Sequence, residues 1–82
     1  MTEQSVILVV DDELALREAL YKALAKEGYT VLMAADGQEG LNLLRSQQVN
    51  VMLLDLKMPE LGGLELLKAT KLLVPDVEVI VI

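Results

Sequence analysis

Short apolar blocks alternate along the chain with polar stretches of helical period. Val6 to Val10 reads VILVV and, with Ser5, predicts a strand over 5–10 of the uninterrupted kind found in parallel sheets covered on both faces. From Leu14 the period changes. Leu16, Leu20, Ala23, Leu24 and Glu27 share helical spacing, while Arg17, Glu18, Lys22 and Lys26 fall mostly on other faces, so a helix is expected over 14–27 with Gly28 as its stop. A second strand follows over 29–34. Asp36 and Glu39 have the spacing of a capping box, in which the first carboxylate accepts from exposed amides and the second reaches back. The helix they start turns Leu41, Leu44 and Leu43 inward and ends near Gln47 or Gln48. A third strand is expected over 49–54, a third helix over 64–73, a linker closed by Pro75, and a fourth strand over 77–82.

The order β-α-β-α-β-α-β points to an α/β sandwich around a parallel sheet, with right-handed crossovers placing helices on both faces. No repeat, linker or low-complexity tract divides it. In such a sheet all strands point one way, so the residues just beyond the first and third strands emerge on one rim. The first strand runs into Asp11-Asp12-Glu13 and the third into Asp55. If these strands are neighbours, Asp11, Asp12 and Asp55 converge where open α/β sheets bind ligands. Clustered like charges repel, so the acids either fan out into water or hold a cation. Singly, each has an ordinary reading: Asp12 as an N-cap of the first helix, Asp55 as a strand-end acid, Asp36 as a cap. Jointly they favour chemistry, and an all-carboxylate donor set suits Mg2+.

Composition narrows the setting. The 82 residues suit one small domain, 54% of them are apolar, and yet the longest apolar run is far shorter than the roughly 20 residues a membrane helix needs. The absence of Cys and His leaves no disulfide framework and removes the usual zinc ligands. A net charge of -6 disfavours direct nucleic-acid binding by this segment. With no basic n-region before the first apolar run, the expectation is a cytoplasmic protein without a membrane segment. Gly28 and Gly37 read as helix-boundary residues rather than a phosphate cradle, because no Gly-rich phosphate motif follows a strand. The leucines, Met33 and Met52 are assigned to the core.

Taken together, VILVVDDE and VMLLDLKMPELGGLELL, about forty residues apart, resemble the receiver domain of bacterial two-component response regulators. The resemblance implies a flavodoxin-like three-layer sandwich with strand order 2-1-3-4-5, of which residues 1–82 would form the part from β1 to β4, incomplete at the C-terminus. It implies a phosphoacceptor that takes a phosphoryl group from the phosphohistidine of a sensor histidine kinase or phosphotransfer protein. Asp55 matches the acceptor, Asp12 the direct Mg2+ ligand, and Asp11 its neighbour that reaches the ion through water or positions it. Lys57 matches the residue whose backbone carbonyl completes the coordination. Met58-Pro59 matches the loop shaping the pocket and Gly63 the glycine at its end, whereas Gly62 departs from the acidic or amide residue common there. The family's switch Ser or Thr would follow Ile82 and its Lys would follow a fifth strand; Lys68 and Lys71, within the third helix, substitute for neither. The resemblance further implies a parent response regulator with an output domain that controls transcription, and impaired switching in the 82-residue segment.

Two other classes remain open beside phosphotransfer. The same fold could serve as a non-catalytic interaction or self-assembling module, and a metal-dependent hydrolase would need a further acid or base that the sequence does not supply. The β-branched stretch VEVIVI at a sheet edge is also a template for another chain, so a homo-oligomer is expected through that edge.

Overall fold

The computed structural model describes residues 5–58 and 62–82. Its elements are β1 (Val6–Val10), α1 (Leu14–Lys26), β2 (Thr30–Ala34), α2 (Gly37–Ser46), β3 (Val51–Leu54), α3 (Gly63–Leu73) and β4 (Glu78–Val81). The four strands form one parallel sheet in the order β2-β1-β3-β4. Every element expected from the sequence is present, with boundaries shifted by up to two residues. The largest shift is at β3, where Val49 and Asn50 precede the strand. Asn50 there ties the lower rim: its Oδ1 accepts from the amide of Val6 at 2.8 Å.

The pairing register assigns the two sheet faces. Leu8 lies beside Leu32 and Met52, and Val10 beside Ala34 and Leu54, so these side chains share a face. That face packs against α2 and α3, where Leu44 and Leu66 complete a buried cluster with Val49, Met58 and Val77. The helices approach closely at Gly40, where a Cβ would meet Leu66 Cδ2 and Val10 Cγ2 at 3.2 Å.

The opposite face carries Ile7 and Val9, both buried. It is covered by α1, which packs on β1 and β2. Here the periodicity overstated burial. Leu20 and Leu24 are half-buried, but Leu16, Ala23 and Glu27 are exposed, and no residue of α1 is fully buried. Among the described residues α1 covers two strands with no second helix beside it to close its flanks. The same geometry corrects Met33, which lies on edge strand β2 and is 39% exposed, while Met52 on central β3 is 0% exposed. Leu14, Leu64, Leu72 and Leu73 are likewise exposed and do not belong to the core.

Local capping follows the sequence at α2, departs from it at α1, and at α3 lacks the side-chain cap that Gly62 could not supply. At α2, Asp36 Oδ1 accepts from the amide of Glu39 at 2.8 Å, and Glu39 Oε1 accepts from the amide of Ala35 at 2.6 Å. At α1 the N-cap is Glu13, whose side chain makes no capping bond, so Asp12 does not cap that helix. At α3, N-cap Gly62 offers no side chain, and Glu65 Oε1 accepts from its amide at 3.1 Å. This is the reciprocal half of a capping box alone: the amide of Gly62 is satisfied, and no N-cap side chain accepts from the first-turn amides.

Candidate metal and phosphoacceptor site

The sheet itself delivers the acidic residues to one rim. Asp11 continues β1 by donating its amide to the carbonyl of Ala34 at 3.2 Å, and Asp55 continues β3 by donating to the carbonyl of Val10 at 3.0 Å. Because β1 and β3 are direct neighbours in parallel register, their carboxyl ends cannot separate. One carboxylate oxygen from each of Asp11, Asp12 and Asp55 lies within 4.8 Å of the others. Asp11 is buried, Asp55 half-buried and Asp12 exposed, so the cluster opens to solvent on the Asp12 side.

Two of the three carboxylates are held by backbone donors. Asp11 Oδ1 accepts from the amide of Glu13 at 2.8 Å, which helps offset the cost of placing a carboxylate at 3% exposure. Asp55 Oδ1 accepts from the amide of Lys57 at 2.9 Å. The peptide between Asp11 and Asp12 is held by a residue that the sequence motifs did not single out. Half-buried Arg17 sends Nη1 to the carbonyl of Asp11 at 2.7 Å.

The donor set fits a small hard cation. Oxygens at opposite corners of an Mg2+ octahedron stand about 4.2 Å apart, given metal–oxygen distances of about 2.1 Å. Adjacent corners are only about 3.0 Å apart and at most one pair among three ligands can be opposite, so carboxylate oxygens within 4.8 Å of one another would have to close by up to about 2 Å to share such an ion. All donors are oxygens, the class Mg2+ prefers. Lys57 has an exposed side chain, and its amide, through Asp55, ties it to the cluster. Met58 is buried in the core, whereas Pro59 lies outside the described residues.

A doubly wound parallel sheet with three acids at the carboxyl ends of adjacent central strands defines a class of α/β proteins that bind their ligand at the strand-order reversal. The model of the response regulator receiver domain matches residues 7–82, and the chain belongs to that family. It is 41% identical over 76 residues to the response regulator MprA of Mycolicibacterium vanbaalenii, covering 93% of this chain and 33% of that protein. The MprA response regulator of Mycobacterium ulcerans gives the same identity and coverage. The chain thus spans about a third of the length of these relatives.

Solved structures agree on the fold. A CheY-like response regulator receiver domain protein from Methanospirillum hungatei superposes with a TM-score of 0.94 at 35% identity, covering 96% of this chain and 63% of that one. The response regulator TrrA of Thermotoga maritima, solved in complex with Mg(2+)-BeF, superposes with a TM-score of 0.90 at 36% identity, covering 95% and 68%. The flavodoxin-like fold is therefore established for the described chain.

Proposed function

We propose that the chain accepts a phosphoryl group on Asp55 at a site that holds Mg2+, within a phosphorelay. The observation that carries the proposal is the convergence of Asp11, Asp12 and Asp55 at the ends of adjacent strands, with Asp55 Oδ1 already engaged by the amide of Lys57. That bond leaves Oδ2 of Asp55 as the nucleophile. Attack on phosphorus forms an acyl phosphate as the phosphorus–nitrogen bond of a donor phosphohistidine breaks, and the imidazole keeps the electron pair.

Asp12 and Asp55 would bind Mg2+ directly, Asp11 would reach it through water or position it, and Lys57 would bind by its backbone carbonyl. When bound, the ion would neutralise charge on Asp55 and the transferring oxygens. Asp11, pinned by Glu13, fixes one side of the site, and solvent-facing Asp12 leaves the other side open to a donor. The chain is thus a phosphoacceptor that assists its own phosphorylation by positioning and electrostatics, rather than a turnover enzyme.

The partner implied is a sensor histidine kinase or phosphotransfer protein in the cytoplasm. Among the described residues no helix is long and apolar enough to cross a membrane. A second reading, self-association, is favoured by one observation: among the described residues β4 forms an edge of the sheet, and Ile80, Val81 and, just after the strand, Ile82 are exposed.

Incubation with Mg2+ and phosphoramidate, followed promptly by intact mass near neutral pH, tests the acceptor. The expected result is a single phosphoryl adduct that disappears in Asp55→Asn. An adduct that persists in that variant would overturn the assignment.

A further inference from the structure

We infer that Arg17 is a positioning residue of the metal site, acting through the Asp11–Asp12 peptide; the inference rests on the reading of Asp11, Asp12 and Asp55 as Mg2+ ligands. Beyond Val10 the chain leaves the sheet. The amide of Asp11 makes a last bond to β2, and its carbonyl lies past that rung. Arg17 takes this carbonyl at 2.7 Å, from one turn into α1. The carbonyl of Asp11 shares a rigid peptide plane with the nitrogen and Cα of Asp12. Fixing the oxygen therefore fixes the point from which the Asp12 carboxylate departs.

The loop is otherwise weakly held at Asp12. Asp11 has its own side-chain bond to Glu13, and Asp55 has one from Lys57, but the capping position Glu13 contributes no side-chain bond and Asp12 is exposed. Arg17 thus braces the ligand with the least local support. Its location is costly by other criteria. A cation close to a helix N-terminus opposes the positive end of the helix dipole, and α1 has no acid in its first turn to compensate. The guanidinium is placed there because its reach and directed N–H groups suit a carbonyl at the loop.

The role has a sign that separates it from simple electrostatics. If Arg17 acted only as a charge, removing it would relieve cation–cation repulsion and tighten Mg2+ binding. If it positions Asp12, removing it loosens the ligand and weakens binding. Outer partners that orient ligands are worth about 10–100-fold in metal affinity. Arg17→Met keeps an apolar stem without donors, and Arg17→Lys keeps charge and one donor group.

Calorimetric Mg2+ titration of the 82-residue chain, its Arg17→Met, Arg17→Lys and Asp12→Asn variants, with circular dichroism to confirm folding, tests the inference. Arg17→Met is expected to weaken binding about tenfold, by a factor that changes little between low and high salt, and Arg17→Lys to restore most of it. Unchanged or tighter binding in Arg17→Met, with Asp12→Asn still abolishing it, would overturn the role of Arg17 alone. Unchanged binding in Asp12→Asn would remove the metal site itself. Should Arg17→Met fail to fold, Arg17→Lys decides: affinity lowered no more than severalfold supports the inference, and a loss as large as that of Asp12→Asn, or tightening, rejects it.

Discussion

Gly63 lies so close to the loop that follows β3 that a Cβ built on it would overlap the carbonyl oxygen of Asp55 and the Cα of Leu56. The start of α3 is thereby pressed onto the backbone of the proposed acceptor. Both obstructing atoms belong to the main chain, which cannot swing aside as a side-chain end can. Gly63→Ala is expected to cost about 1–3 kcal/mol in urea unfolding and to lower the yield of the Asp55 adduct. Gly40→Ala is the contrast. It meets only the side-chain ends of Leu66 and Val10, and it gains up to about 1 kcal/mol of helix propensity, so its net change should stay within about 1 kcal/mol. Equal losses in both variants would show that the Asp55 backbone is not the rigid element.

Removing a carboxylate from the rim should separate metal binding from fold stability. Asp12→Asn and Asp55→Asn each relieve repulsion within the cluster, so the metal-free thermal midpoint should be equal or higher. Saturating Mg2+ at about 100 times its dissociation constant should stabilise the parent by about 2.7 kcal/mol, or roughly 10–20 °C for a domain of this size. Either variant should lose most of that increment. A full Mg2+ shift in both would exclude these residues as ligands.

How far the sequence could be read depended on whether a residue's surroundings are local. The runs VILVV and VMLL are apolar at every position, which marks them as central strands, and strand direction puts Asp11, Asp12 and Asp55 on one rim; their convergence needed in addition that β1 and β3 be neighbours, which the structure supplies. The Asp36–Glu39 cap is also local, and both of its bonds are present. Burial of α1 was not legible, because helical periodicity gives the inward face but not how much neighbouring structure flanks it. Met33 and Met52 have similar sequence settings and differ through position and face: Met33 lies on an edge strand beside Val9, on the face that α1 covers, and Met52 on a central strand beside Leu8, on the face that α2 and α3 cover. Arg17 escaped notice because its partner is a backbone carbonyl, which carries no residue signature. Its one sequence signal is a cation near a helix N-terminus, where the dipole disfavours it.

The cap of α2 provides a test of local against global stability. Asp36→Ala removes the acceptor for the amide of Glu39 and should cost about 1 kcal/mol. Glu39→Ala removes the acceptor for the amide of Ala35, and the double variant should fall short of the sum because the two bonds fix the same turn. Chemical denaturation of the four proteins gives the coupling. Strict additivity would mean that the two halves of the cap act independently.

The edge at β4 supplies the last expectation. Glu78 donates its amide to Asn50 at 3.0 Å and Ile82 donates to Leu54 at 2.9 Å, so even-numbered residues of this strand turn their backbone groups toward β3. Strand alternation then turns the amides of Val79 and Val81 toward the open edge. These are the groups another strand would take up, and the exposed Ile80, Val81 and Ile82 add apolar area beside them. Val79→Pro should therefore delete an outward donor while leaving the ladder to β3 intact, the one position class where a strand tolerates proline. Val81→Lys places a charge on the same edge through a side chain that is already 50% exposed. If self-association runs through β4, light scattering across micromolar concentrations should show an assembly for the parent chain and a shift toward monomer in both variants, with circular dichroism unchanged. A parent that stays monomeric while folded, or an assembly whose mass neither variant alters, would rule out pairing at this edge.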